Sequence, residues 1–194
     1  FPNTPEFAKS RHMSADRIDA KKMIEALNTH LTEKFGSDKL ILKWSSPSIL
    51  LDYKLMEQKG LKREEVENAA ARFLIGYDGI ANAFTRTQLE NGTLPATHLG
   101  KLMQRAWNRQ VSGDILLVTK PYWYFGSGNS GTSHGSPYSY DTNVPLMIMG
   151  KPWFKAGNYG QYTEVVDLAP TLADLLRIRP PSASEGRILT EALR

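Results

Sequence analysis

No cysteine occurs in the 194 residues. Disulfide bonds, thiolate catalysis and cysteine-bound zinc are therefore excluded, and the redox compartment stays open. No apolar run approaches the ~20 residues that cross a bilayer as a helix, so no membrane span is expected. An excess of one charge is also missing: 24 Lys+Arg against 20 Asp+Glu leave a net charge of +4. The basic residues are scattered, whereas a nucleic-acid surface concentrates them in a stripe, so no nucleic-acid partner is expected. Histidine is sparse, with His12, His30, His98 and His134 making up all 4. None stands in the H-E-x-x-H or H-x-H spacing that builds a metal site locally. Internal repeats and low-complexity tracts are absent. The opening FPNTPEFAKS lacks both a methionine and the basic-then-apolar form of a signal peptide. Processing or truncation is expected to have removed the true start, leaving part of a larger polypeptide.

What is present is 41% apolar residues, enough for real cores. After an irregular lead over Phe1–Ser14, Met23, Ile24, Leu27, Leu31 and Phe35 form one helical stripe. Asp19 is its expected N-cap and Gly36 its stop. His30 lies beside that stripe as a partly exposed helix residue. Lys39–Trp44 and Ser48–Tyr53 read as a strand pair about Ser45-Ser46-Pro47. A helix follows with Leu61, Val66, Ala69, Ala70, Phe73 and Leu74 on one side, ending near Gly76. Gly79–Leu89 reads as a strand and a connection, and THLGKLMQRAWNRQ as a shorter helix. Asp114–Phe125 reads as a strong, mostly buried strand. Together these predict a small α+β layer over residues 1–125.

Residues 126–194 differ in texture. Val144–Gly150, VPLMIMG, has the continuous apolar character of a strand buried on both faces of an α/β sheet. VVDLAPTLADLLRI predicts a helix with Asp167 as N-cap, Pro170 in its first turn, and a buried stripe of Leu168, Leu172, Leu175 and Leu176. One such strand and one helix do not complete a core, so partner strands are expected upstream of Phe1.

Between the two regions stands GSGNSGTSHGSPYSYD, Gly126–Asp141, which fits several patterns. Gly126–Gly131 matches the G-x-G-x-x-G dinucleotide fingerprint, but no helix pattern follows Gly131 to receive a phosphate. Gly131–Gly135 matches the G-x-S-x-G nucleophile elbow with Ser133, yet the last histidine is the adjacent His134, and no base follows farther downstream. His134 remains. The flanking glycines permit a sharp bend, and Thr132, Ser133 and Ser136 offer hydrogen bonds to an imidazole. From chemistry alone His134 stays open between an inert loop residue and a zinc ligand, since a catalytic zinc takes about three protein ligands. Tyr138 and Asp141 read as structural groups bonding the loop backbone. Lys120, Trp123 and Tyr124 read as strand-end packing or, alternatively, a cleft lining.

The loop GTSHGSPYSYDTNVPLMIMG and the later VVDLAPTLADLLRIRPPSASEGRIL resemble the C-terminal part of the alkaline phosphatase superfamily. The nearest branch looks like the type I phosphodiesterase/nucleotide pyrophosphatase group and, within it, the bacterial periplasmic zinc alkaline phosphatases. TPEF, LNTHLTEKFG and GDILLVTKPYW resemble that branch's subdomain between metal-binding segments. The resemblance implies an α/β alkaline-phosphatase-like fold, represented by a small α+β subdomain and the C-terminal strand and helix of the main sheet. It implies that His134 completes one of two zinc sites in a periplasmic or secreted hydrolase of phosphate monoesters working through a covalent phospho-enzyme. A phosphodiesterase or nucleotide pyrophosphatase is the alternative within the class, and a non-catalytic binding module the alternative outside it. The family's nucleophile, its remaining zinc ligands (among them an Asp-His pair expected shortly before Phe1) and its substrate-orienting groups have no counterpart here. No catalytic or cofactor-binding residue is therefore assigned, and the chain alone is expected to be inactive without the upstream half of its polypeptide.

Overall fold

A computed structural model describes residues 5–128 and 131–194. They form two compact units, Phe1–Asn143 and Val144–Arg194.

The first unit is built on a four-stranded sheet. Helix α1 (Pro5–Ser10) and a short strand β1 (Arg17–Ile18) lead into α2 (Ala20–Phe35). The Asp19 carboxylate accepts the backbone N–H groups of Lys21 and Lys22, and Gly36 ends α2 at φ 63. Both ends thus follow from local chemistry, the first by satisfying orphan amides and the second by a left-handed turn that glycine adopts without strain. Strands β2 (Ile41–Ser45) and β3 (Ser48–Leu51) form the expected pair. The second ends two residues before the expected Tyr53, because Asp52 accepts Leu55 N–H and starts a helix, α3 (Tyr53–Gln58). Helix α4 (Arg63–Ile75) and strand β4 (Ile80–Thr85) follow. The expected connection after β4 is a helix, α5 (Arg86–Asn91), begun by a reciprocal capping box of Thr85 and Gln88. Then come α6 (His98–Ala106) and β5 (Ile115–Thr119), giving the antiparallel order β2-β3-β5-β4.

Strand β5 shows why the sheet is central. Ile115 and Leu117 join the cluster with Met23, Leu27, Leu31, Val66, Ala70 and Leu74 of α2 and α4. Leu116 and Val118 join Phe84, Leu89, Leu99, Met103 and Trp107 on the opposite face. Alternation along the strand feeds two helix layers at once. The expected single strand Asp114–Phe125 is interrupted: Tyr122 turns to φ 63, and the chain resumes as β6 (Tyr124–Phe125), parallel to β1. Gly79, at φ 88, faces Trp123 and Ile18 so closely that a Cβ there would collide with both.

The division between units falls after Asn143 rather than after Phe125. Residues 131–143 are bonded to the ends of β5 and β1, which draws them into the first unit.

In the second unit α8 (Leu168–Leu176), so numbered because the short α7 (Ser139–Thr142) closes the first, forms where a helix was predicted. Its burial differs from the expectation. Pro170, Thr171 and Ala173 are buried, whereas Leu172 and Leu176 are 50% and 67% exposed. Leu168 and Leu175 of the apolar stripe are half-buried, and the other face packs on the C-terminal tail. Thr171 donates its hydroxyl to Asp167 C=O at 2.7 Å and accepts Leu189 N–H at 3.0 Å. Asp167 does not cap with its side chain; it accepts Glu164 N–H and Arg187 N–H, each at 2.8 Å. Gly186 lies against the backbone of Val166 and Asp167, where any Cβ would collide. Val144–Gly150 was predicted as a buried strand, but it is extended, carries no strand pairing and is largely exposed. A strand exists only by pairing, and no partner stands beside it among the described residues.

Candidate functional site

His134 sits exposed on the loop between β6 and α7. Gly131 at φ 84 and Gly135 at φ 95 bracket it. Neither glycine has a neighbour that a Cβ would strike, so it is the left-handed backbone, not crowding, that requires glycine at both points. Asn129 and Ser130, inside the dinucleotide-like pattern, and Phe1–Thr4 lie outside the described residues. After Gly131 the next helix is α7, so neither the dinucleotide pattern nor Ser133 has the following helix that its chemistry needs.

The loop is held from both sides. Upstream, the Arg17 guanidinium donates to Gly131 C=O at 2.7 Å. It also donates to the two Glu6 carboxylate oxygens at 3.1 and 3.2 Å and lies over the Tyr124 ring at 5.8 Å. Downstream, Ser136 N–H donates to the Asp141 carboxylate at 2.6 Å. Tyr138 donates its hydroxyl to Thr119 C=O at 2.6 Å, and the Tyr140 hydroxyl accepts Tyr122 N–H at 3.0 Å. The rings of Tyr122 and Tyr140 stack at 4.6 Å, and those of Tyr138 and Tyr140 at 5.7 Å. Burial pushes the Tyr138 and Tyr140 phenols up, so both remain neutral hydrogen-bonding groups.

Asp141 thus bonds the loop backbone, as the sequence suggests, whereas Tyr138 bonds the end of β5. Tyr124 is buried, and Trp123 packs against the main core. Lys120 instead lines an open cleft of about 400 Å³ with Met13, Ser14, Pro121 and Tyr122, its ammonium paired to Asp78 at 2.9 Å. Sequence reasoning missed Arg17. It lies 114 residues from Gly131, and no local pattern distinguishes it from other surface arginines. Among the described residues no group of three or more His, Cys, Asp or Glu side chains is placed to hold a metal ion. His134 is one donor, of a chemistry that suits zinc.

The chain is similar in sequence to known phosphatases. Its homologues include alkaline phosphatases, although no sequence-family profile matches it. It is 27% identical over 172 residues to alkaline phosphatase PafA of Elizabethkingia meningoseptica, covering 88% of the chain and 31% of PafA. It is 29% identical over 190 residues to alkaline phosphatase PhoK of a Sphingomonas species, covering 89% of the chain and 33% of PhoK. A Myroides odoratus protein named calcium-transporting ATPase is 30% identical over 193 residues, covering 98% of the chain and 35% of that protein. The chain therefore spans about a third of the length of these relatives. The crystal structure of PafA matches with a TM-score of 0.85 at 24% identity, over 99% of the chain and 36% of PafA, which establishes the fold.

Proposed function

We propose that the chain is the C-terminal portion of a zinc-dependent phosphate monoester hydrolase of the alkaline phosphatase type. Its branch is the type I phosphodiesterase/nucleotide pyrophosphatase group, and its location is periplasmic or extracellular. The observation that carries this reading is His134, exposed between two left-handed glycines in the T-S-H-G-S-P-Y-S-Y-D loop. His134 holds one coordination position through its neutral imidazole, and the other protein ligands come from outside the described residues. Zinc, when bound, supplies Lewis-acid stabilisation of phosphoryl oxygens. The chain's own contribution is to present that imidazole and fix its loop. An imidazole ligates only when neutral, so protonation competes with metal and acid weakens the site. The nucleophilic hydroxyl that forms the phospho-enzyme lies in the upstream half of the polypeptide, and Ser133 has no part in it.

Within the same class, the Myroides relative's name favours a second reading in which a phosphoanhydride such as ATP is hydrolysed. Rates of the full-length polypeptide on p-nitrophenyl phosphate, bis(p-nitrophenyl) phosphate and ATP rank the monoester, diester and anhydride readings directly. The 194-residue chain alone should turn over none of them, and chelator-sensitive turnover by it refutes the assignment. In the full-length polypeptide, His134→Ala should lower metal affinity by more than the ~10–100-fold typical of outer-shell changes and cut catalysis, with partial recovery in added zinc. Ser133→Ala should leave both nearly unchanged. A dead Ser133→Ala enzyme beside a His134→Ala enzyme that keeps its metal overturns the reading in favour of the nucleophile elbow.

A further inference from the structure

Two side chains close on the two ends of the His134 loop. We propose that Arg17 and Asp141 are positioning residues that aim the His134 imidazole at its metal; the inference rests on the reading of His134 as a metal ligand. Arg17 is well fixed for the task. Its side chain is 13% exposed, a bidentate pair with Glu6 holds the guanidinium plane, and the Tyr124 ring lies beneath it. A planar fork so constrained has little rotamer freedom left to lose, and the Nη2–Gly131 C=O bond of 2.7 Å passes that rigidity to the start of the loop.

Asp141 fixes the other end. Its carboxylate takes Ser136 N–H in a charge-assisted bond of 2.6 Å. It stands on α7, which the Tyr138–Thr119 and Tyr140–Tyr122 hydrogen bonds and the tyrosine stack anchor to the end of β5. Between these clamps lie Thr132, Ser133, His134 and Gly135. An unclamped segment flanked by two glycines samples many backbone conformations, and metal binding has to suppress them at an entropic cost. With both ends held, part of that ordering precedes the metal. The consequence is a gain in metal affinity, which a purely architectural role for Arg17 and Asp141 does not produce.

The test uses the full-length polypeptide with Co²⁺ in place of zinc. Affinity is read by chelator competition, and coordination by the visible absorption of bound cobalt. Asp141→Ala and Arg17→Met should each weaken cobalt binding at the His134 site by about 10–100-fold. Asp141→Asn, whose amide oxygen accepts the same Ser136 N–H, should recover most of the loss. If Asp141→Ala and Arg17→Met bind cobalt with wild-type affinity and spectrum while His134→Ala does not, the clamp is overturned and the ligand reading stands. If His134→Ala itself binds cobalt like wild type, the ligand reading fails and takes the clamp with it. Should Asp141→Ala not fold, Arg17→Met and Asp141→Asn decide: weakening in the first with recovery in the second supports the clamp, and wild-type affinity in Arg17→Met overturns it.

Discussion

The first unit closes its core and the second does not. Among the described residues, nearly every fully buried apolar side chain belongs to 5–143, and only Ala173 and Leu189 to the second unit. Exposed large hydrophobic side chains run the other way: twelve lie in the short second unit and six in the first. Leu146, Met147, Ile148 and Met149 face solvent, with Met149 99% exposed. A segment this short cannot wrap a core around itself, because too little of its surface is removable from water. Each unit also holds one buried aspartate. Asp114 accepts Leu51 N–H at 2.7 Å, the Tyr53 hydroxyl at 2.6 Å and Arg86 Nε at 2.9 Å. Asp167 accepts two backbone amides, and the Arg187 guanidinium near it is paired with Glu191. The difference teaches that the first unit is specified by its own contacts, while the second has internal bonds but an apolar face left over.

The aspartates give the largest test of that contrast. Asp114→Ala removes the 2.9 Å partner of Arg86, which is 14% exposed and keeps its longer 3.8 Å pair with Glu90 and its bond to the Arg109 carbonyl. It also orphans a buried amide and a phenol, and should cost about 3–5 kcal/mol. Asp167→Ala orphans only neutral amides and should cost about 1–3 kcal/mol, felt as faster hydrogen exchange at Arg187 and Leu189 but not in β5. Equal costs in urea melts, or exchange spreading into β5 from Asp167→Ala, break the comparison.

Next in size is a packing pair. Leu27, with no exposure, touches both helix and sheet, and Leu27→Ala should cost about 2–5 kcal/mol. Met149→Ala in the 194-residue chain should stay within about 0.5 kcal/mol. In the full-length polypeptide the proposed neighbours of Val144–Gly150 should lift the Met149→Ala cost into the core range. Amides of Val144–Met149 that exchange as slowly as those of Ile115–Thr119 in the monomeric 194-residue chain would show the strand already covered.

The smallest effect concerns pH and only the first unit. Glu67 is fully buried, with one oxygen accepting Thr87 N–H at 2.9 Å and the other 3.4 Å from Arg63 Nε. Burial pushes its carboxyl above the ordinary carboxylate range, against the pull of Thr87 and Arg63. The folded state therefore holds this proton to higher pH than the unfolded one. Its contribution is full below the unfolded carboxylate value and is lost as pH rises through the folded one. Glu67→Gln keeps an acceptor for Thr87, should change stability at neutral pH by less than about 1 kcal/mol, and should flatten the fall in stability with rising pH. A profile from urea melts that is unchanged by the substitution removes Glu67 as its source.

Much of the first unit was legible because its signals are local. Asp19 and Gly36 mark α2 at both ends, and the apolar period of 3.6 over Met23–Leu31 and Val66–Leu74 selects the faces that are buried. What escaped was also short-range but competing: Asp52 and Thr85 cap helices where a strand end and a connection were expected. The pairing of β1 with β6 escaped for another reason, since it depends on residues more than a hundred positions apart meeting. On α8 the stripe Leu168, Leu172, Leu175 and Leu176 was read correctly as apolar, but periodicity does not say whether anything lies against it.

By itself the sequence determined the long helix α2 with both its caps, the antiparallel pair β2–β3, and the loop that carries His134 between two glycines. It could do so because capping, turn conformation and amphipathic period are settled within a few residues of chain. Only the tertiary structure decided that Arg17 reaches Gly131, that Tyr138 ties the loop to β5, and that the loop joins the first unit. Those outcomes depend on which distant surfaces bury one another. Contact across more than a hundred residues is chosen by the packing of the whole core, and no local pattern encodes it.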